Sequence, residues 1–498
     1  MPAGVVNDRA IDEEVETLDV QAVNKKENRP FTAKRVKVHP KRVYGSFRAF
    51  KWGMMIFTLG IYYLTPWLRW DRGAGAPDQA VLIDIPGRRF YFFFIEIWPQ
   101  EVYYITGLLV MAAVGLFFTT SLAGRAWCGY SCPQTVWTDL FLVVERFVEG
   151  DRNARLKLDK APTSASKIFK RLSKFTLWLL IAIGTGGAWV FYFADAPTLA
   201  AQFVDFSAPS TAYITIGILA STTFLLGGFA REQVCTYMCP WPRIMSAMMD
   251  EESLVVTYRD YRGEPRGAHK KGEAWGGTSH CVNCNQCVAA CPQGIDIRDG
   301  QQLECITCAL CIDACDGVMA KLDLPKGLIA YDSYSAHHHR AQGESAKLRP
   351  IRPRTIIYFT AWALVGLLML FVLMSRSDLD INVLRDRNPI FVTLSDGSIR
   401  NGYTFKILNK ANIERGFIMT VSGIAGAQLQ QVGGVAGATG ESELSFTVEP
   451  DKVRSFRVFV SVGKGGLSSD STDIKFSLLD TEKGTEVYYD SVFRGPAK

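Results

Sequence analysis

Five stretches of the chain stay apolar for roughly the 20 residues a helix needs to cross a hydrocarbon core. They lie near 50–68, 102–122, 175–193, 211–229 and 355–374. The runs 102–122 and 356–374 contain no charge at all, and the first is broken by Pro66 among Tyr and Trp residues, as an interfacial aromatic belt would be. The shorter stretch 90–98, FYFFFIEIW, cannot span and is expected in the outer interface or as a buried loop. Past residue 388 the pattern changes to short runs of period two, from PIFVTLSDGSIRNGYTFKILNK to EVYYDSVF. With Asp396-Gly397 and Asn401-Gly402 read as turns, this predicts an antiparallel β-sandwich of seven or eight strands.

Basic residues flanking the runs set an orientation, because Lys and Arg near helix ends resist export. Lys34, Arg35, Lys37, Lys41, Arg42 and Arg48 precede the first run, and the loop after the second carries Lys157 through Lys174. The loop 194–210 has neither Lys nor Arg. Five crossings then place the amino terminus and 230–354 in the cytoplasm and the tail on the far side. About fifty mostly polar residues precede the first run, which argues against a cleavable signal peptide.

The composition agrees with membrane spans diluted by soluble portions: of 498 residues 48% are hydrophobic, 12% aromatic and only 21% charged. A net charge of +6 over this length makes no case for a nucleic-acid partner. The implied order is a flexible cytoplasmic arm (1–45), a four-helix membrane core (46–250), a ferredoxin-like domain (251–330), a linker (331–354), a fifth transmembrane helix (355–374) and a sandwich (375–498). His337, His338 and His339 fall in the linker, as a solvated or metal-scavenging tract.

All twelve cysteines lie in or beside the segments assigned to the reducing side, and the exported tail has none, so they are thiols for metal or redox chemistry rather than disulfides. Eight form two bacterial ferredoxin runs, CVNCNQCVAACP and CITCALCIDACD. In this pattern the fourth cysteine of each run ligates the other cluster. Cys281, Cys284, Cys287 and Cys315 are therefore expected to hold one [4Fe–4S] cluster, and Cys305, Cys308, Cys311 and Cys291 the other. A zinc ribbon would use paired C-x2-C knuckles and has no need of eight thiolates. Asp316 stands where the first run has Pro292, which predicts a turn without the fixed proline angle and a carboxylate that lowers the nearby potential.

The remaining four cysteines form two C-x3-C-P motifs, RAWCGYSCP and EQVCTYMCP, each after an even-numbered span. Four-residue spacing puts Cys128 with Cys132, and Cys235 with Cys239, on one face if the backbone stays helical. Such soft thiolates suit Cu(I), zinc or iron–sulfur chemistry. Met238, Met245, Met248 and Met249 could add thioether ligands or serve in packing. The repeat of helix pair plus motif hints at an internal duplication.

In this order, CGYSCP and CTYMCP, the double run ending in CIDACDGVM, a further span and a cysteine-free sandwich containing NGYTFKILN resemble the FixG/RdxA/CcoG family over nearly the whole chain. The resemblance implies a multi-pass polyferredoxin of the bacterial inner membrane with a periplasmic immunoglobulin-like domain. It also implies a cupric reductase supplying Cu(I) for assembly of cbb3-type cytochrome c oxidase. On that basis Cys128, Cys132, Cys235 and Cys239, with Met238 as a weaker candidate, are linked to copper. The expected partners are the oxidase or its copper-delivery factors, and a ferredoxin, flavoprotein or quinol as electron donor. The core is also similar to membrane subunits of nitrate- and nitrous-oxide-reduction systems, which leaves open a quinol-to-ferredoxin conduit. A copper-carrying scaffold without catalysis stays open as well.

Overall fold

The long apolar runs fold as helices in the computed structural model of the chain, which describes residues 15–24, 36–73, 76–267, 279–376, 379–409, 414–433, 442–449, 452–463, 465–467 and 469–496. Two compact units emerge: one from the chain up to Leu68 and Gln79–Met369, the other from Arg69–Asp78 and Leu370 onward.

In the first unit the helices are α1 (Ser46–Leu64), α2 (Tyr103–Ala123), α3 (Ala126–Tyr130), α4 (Pro133–Glu149), α5 (Arg152–Lys160), α6 (Ala165–Val190) and α7 (Ala196–Val204). There follow α8 (Ser210–Thr223), α9 (Trp241–Met248), α10 (Asp260–Gly263), α11 (Gln286–Ala290), α12 (Leu310–Lys321), α13 (Tyr334–Ala341) and α14 (Pro353–Met374). Among the described residues four helices are long and apolar enough to cross a membrane: α2, α6, α8 continued through π-helical turns to Ala230, and α14. The side chains of α2 and α14 are largely exposed, Leu108, Leu109, Leu364 and Leu367 among them, as surfaces for hydrocarbon would be.

The fifth expected span does form a 19-residue helix, α1, but it is not among those four. Its first two turns carry Arg48 and Lys51, both buried, and Arg48 pairs with Asp139 of α4 at 2.9 Å. The Asp313 carboxylate of α12 accepts from the backbone N–H groups of Phe47 and Arg48, closing the free N-terminal donors of α1 from a distant element. The charges that disqualify α1 on hydropathy thus dock it.

Buried ion pairs tie the helices together. Glu145 of α4 receives Arg155 at 2.8 Å and Arg231 at 2.7 Å, and Glu149 receives Lys174 and Arg171, both at 2.9 Å. Burial alone would raise the Glu145 carboxyl; Arg231 and Arg155 override this and hold it at about 2.

Several expectations need correction. The segment 90–98 is not a plain buried loop: β1 (Val81–Asp84), β2 (Arg89–Phe92) and β3 (Ile95–Ile97) form a three-stranded antiparallel sheet. Its alternation places Tyr91 and Ile97 inside and Phe92 outside, which an apolar count cannot distinguish. The described part of the amino-terminal arm is not free. Val15 and Ala22 enter the core of the cysteine-rich region, and Leu18 N–H, Asn24 N–H and Lys41 N–H donate to the carbonyls of Cys284, Gly294 and Ala289. Before the linker, β4 (Val255–Tyr258) pairs antiparallel with β5 (Ile329–Asp332), and the three consecutive histidines lie on α13, whose first turn is capped by Ser333.

In the second unit nine strands are described: β6 (Leu379–Arg385), β7 (Val392–Thr393), β8 (Ile399–Asn409), β9 (Arg415–Ser422), β10 (Gln428–Gln431), β11 (Glu443–Val448), β12 (Lys452–Val462), β13 (Ser471–Asp480) and β14 (Glu486–Arg494). They make two antiparallel sheets, β10-β12-β8-β6 with β7 on β8, and β11-β9-β13-β14. Alternate residues Tyr403, Phe405 and Ile407 meet Ile474, Phe476 and Leu478 in one core. Asp396-Gly397 turns as expected, with Gly397 at φ 81°. Asn401-Gly402 does not: both lie inside β8, where the Asn401 side chain is buried and bonded to the backbone of Arg494.

Candidate electron-transfer site

Each ferredoxin run curls because the residues on both sides of its second cysteine are left-handed. They are Asn283 (φ 54°) and Asn285 (φ 56°) around Cys284, and Thr307 (φ 50°) and Ala309 (φ 59°) around Cys308. Such a curl turns successive N–H groups inward toward anionic sulfur. Asn tolerates this conformation, whereas Thr is strained there and persists only where its surroundings dictate it.

Each loop is braced from outside. Arg298 donates to the side-chain oxygens of Asn283 and Asn285, both at 2.8 Å, and is itself held by Asp296 at 2.7 Å. In the second loop Arg125 donates to the Cys305 carbonyl at 3.1 Å, Tyr130 to the Cys308 carbonyl at 3.2 Å, and Tyr331 to the Thr307 carbonyl. Thus the braces of the second loop come partly from the first C-x3-C-P motif.

The eight cysteines of the two runs gather around two cavities. One is lined by Cys281, Cys284, Cys287 and Cys315, another by Cys287, Cys291, Cys305, Cys308 and Cys311. At least four thiols around each cavity, on loops with inward N–H groups, fit two cubane clusters. Burial pushes the Cys287 and Cys291 thiols up to about 12 and Cys305 to about 11, so the bare sulfurs hold their protons until iron displaces them. Asp316 does not follow a turn. It lies within α12, its carboxylate accepting from Gly327 N–H at 2.8 Å, so a proline there would break a helix, whereas Pro292 follows the end of α11.

The C-x3-C-P pairs also depart from a continuous helix. Cys128 sits in α3, which ends at Tyr130; Cys132 is extended (ψ 128°) and Pro133 starts α4. The second pair repeats this: Cys235 lies in a π-helical turn (Val234–Met238), Cys239 is extended (ψ 123°), and Pro240 precedes α9. The Thr135 hydroxyl lies 2.7 Å from the Cys128 carbonyl and 2.9 Å from that of Cys132, fixing the reversal. Burial raises Cys128 and Cys235 to about 12, and neighbouring thiols add to it: Cys132 and Cys239 for Cys128, and Cys132, Cys128 and Cys239 for Cys235. All four cysteines are therefore drawn into one neighbourhood. Yet among the described residues no three His, Cys, Asp or Glu side chains converge tightly enough to hold a single ion. Of the methionines, Met238 is 64% exposed, while Met245 is buried with its sulfur 3.5 Å from Cys128 Sγ.

Both motifs meet the cavity of Cys291, Cys305, Cys308 and Cys311. Cys128 packs on Ile306, Cys308 and Leu310. Gly129 lies so near that a Cβ there would be 2.6 Å from the Ile306 carbonyl oxygen. On the other side Cys235 lines a small cavity together with Pro292, Gln293 and Ile306. A further cavity of about 220 Å³ opens beside Cys305, lined by Arg125, Ser246, Met249, Leu303 and Thr307 among others. Cysteine spacing could not reveal Arg125, Tyr130, Arg298 or Gln293. Only Gly129 and Tyr130, enclosed in the motif as CGYSC, carried a positional hint.

These features define a class: a two-cluster iron–sulfur electron-transfer protein built on apolar helices and joined to an immunoglobulin-like domain. Comparisons agree, since residues 230–334 match a 4Fe-4S dicluster domain, 105–148 a 4Fe-4S binding domain, and 369–496 the IG-like fold at the C-terminus of FixG. The chain is 54% identical to "Nitrogen fixation protein FixG" of Rhizobium meliloti (strain 1021), over 96% of this chain and 97% of that protein. It is 52% identical to "Protein RdxB" and 50% to "Protein RdxA", both of Cereibacter sphaeroides, over 93% and 91% of this chain and 97% and 95% of theirs. The chain belongs to the FixG/RdxA family.

Proposed function

We propose that the protein is a cupric reductase that passes single electrons to Cu(II) at the C-x3-C-P cysteines and releases Cu(I) for cbb3-type oxidase assembly. The supporting observation is the seat of both motifs beside one cluster cavity, Cys128 against Cys308 and Cys235 sharing a pocket with Pro292 and Gln293. Cys281, Cys284, Cys287 and Cys315 would hold one [4Fe–4S] cluster and Cys305, Cys308, Cys311 and Cys291 the other. When bound, such clusters carry one electron at a time without proton chemistry. The protein's part is positional: Arg125, Tyr130 and Tyr331 hold the second loop, Thr135 holds the Cys128–Cys132 reversal, and the buried thiols present soft sulfur that favours Cu(I). In this reading α1 is a fifth crossing, the cluster domain faces the cytoplasm of a bacterial inner membrane, and the sandwich faces the periplasm to meet the oxidase or its copper-delivery factors.

Replacing Cys128 and Cys132 by Ser in anaerobically purified protein is the test. Copper binding and cupric reduction should vanish while the cluster spectrum stays; unchanged reduction would remove the site. The 220 Å³ cavity beside Cys305 favours one second reading, a quinol-fed conduit to another redox system. Rapid cluster reduction by a quinol analogue without copper would support it.

A further inference from the structure

We propose that Met245 is a copper ligand, its thioether completing with Cys128 a mixed thiolate–thioether site for Cu(I). This deepens the cupric-reductase reading and rests on it. Met245 projects from α9, immediately after the second motif, and Cys128 belongs to the first, so the pair joins the two motifs through sulfur.

The geometry suits one shared ion. Met245 is 1% exposed, and its Sδ lies 3.5 Å from Cys128 Sγ. With metal–sulfur bonds of about 2.3 Å, two sulfurs that far apart subtend an angle of roughly 100° at a common ion. That angle is too tight for linear two-coordination and fits three or four ligands, leaving room for another thiol. Cys132 is held beside Cys128 by the Thr135 hydroxyl, which bonds the carbonyls of both. Of the other methionines near the motifs, Met248 Sδ is 3.6 Å from the Tyr358 hydroxyl, Met238 is exposed and Met249 lines the cavity beside Cys305.

The donor chemistry suits Cu(I). The sulfur found 3.5 Å from Cys128 is a thioether. It gives a lone pair without first losing a proton, whereas each thiol must release one on binding. Replacing a thiolate by a neutral sulfur keeps the site soft and lowers its negative charge, which favours Cu(I) and eases its transfer onward.

The test uses full-length protein grown with selenomethionine and loaded anaerobically with Cu(I). X-ray absorption at the copper edge should show a Cu–Se shell, which Met245→Leu abolishes and Met248→Leu retains. Met245→Leu, close in volume and apolar, should also weaken Cu(I) in chelator competition by about tenfold or more, with the cluster spectrum unchanged. A copper-loaded protein with only sulfur neighbours, or undiminished affinity in Met245→Leu, overturns the assignment. Absence of any bound copper in the parent protein would instead overturn the underlying reading.

Discussion

Substituting Gly129 by alanine tests whether the first motif helix must rest on the cluster loop. The added methyl would sit 2.6 Å from the Ile306 carbonyl oxygen, 3.0 Å from Cys308 Cα and 3.1 Å from its amide nitrogen, where ordinary contact begins at 3.4 Å. All three are backbone atoms of a loop already held in left-handed conformations at Thr307 and Ala309. No flexible side chain can yield, so the helix must retreat by most of an ångström. Overpacking of this kind costs about 1–3 kcal/mol. The Tyr130 hydroxyl, 3.2 Å from the Cys308 carbonyl, would lose its bond, adding about 0.5–1.5 kcal/mol.

Three measurements on the anaerobic protein check this: apparent melting temperature, the electron paramagnetic resonance signal of each reduced cluster, and the rate of cupric reduction. Gly129→Ala should melt earlier, alter the signal of the Cys308 cluster while leaving that of the Cys281 cluster, and slow copper reduction. Gly184→Ala, on α6 with open space around its Cβ position, is the matched control and should change none of them. If Gly129→Ala matches the control on all three readouts, contact between motif and cluster loop has no functional role.

Three further outcomes follow from particular side chains. Asp316→Asn keeps an acceptor for Gly327 N–H but removes a negative charge beside Cys315, so the potential of the cluster at Cys281 should rise in a redox titration and the other should hold. Arg298→Leu frees Asn283 and Asn285; bound iron should fall from about eight toward about four per chain under mild chelation, and equal loss from both clusters would contradict the brace. Glu145→Gln strips the buried Arg155 and Arg231 of their counter-charge and should cost about 3–5 kcal/mol in thermal or denaturant unfolding. In the parent protein, that carboxyl is held at about 2 against an ordinary 4.5, so its contribution is full above pH 4.5 and fades as pH falls toward 2. A Glu145→Gln variant with the parent's stability at pH 7 would refute the network.

Much of the site was legible because cluster ligation constrains spacing directly. A cubane takes three thiolates from one short loop, so C-x2-C-x2-C and its distant fourth cysteine can be recognised without a structure. What lay hidden were interactions made across the chain. Arg125 and Arg298 look like ordinary surface cations in a one-dimensional reading, yet one holds the Cys305 carbonyl and the other two left-handed asparagines. Lys34 through Arg48 read as a topological signal, but Arg48 is occupied by Asp139. The amino-terminal arm misled for a similar reason: Val15 and Ala22 are too sparse among polar neighbours to suggest a core, and become one only against the cysteine-rich region. Asn401-Gly402 shows the limit of turn chemistry, since a buried asparagine bonded to another strand outweighs local preference.

The spatial order of the thiols also implies a direction for electrons. Cys287, from the first set, also lines the cavity of Cys291, Cys305, Cys308 and Cys311, so the two cluster positions adjoin through it. The second set touches the C-x3-C-P motifs, through Cys308 and through the turn after Cys291. The Cys281 position is instead covered by the amino-terminal segment, Leu18 N–H bonding the Cys284 carbonyl. An electron entering at the Cys281 cluster must therefore pass the Cys308 cluster to reach Cys128, whereas one entering through the cavity beside Cys305 bypasses the first cluster. If the donor docks at the amino-terminal segment, destroying the Cys281 cluster stops copper reduction; if it docks beside Cys305, reduction survives that loss. Under the proposed ligand assignment the two clusters are inequivalent, one terminal and one adjoining the C-x3-C-P thiols, and their selective removal identifies the entry point.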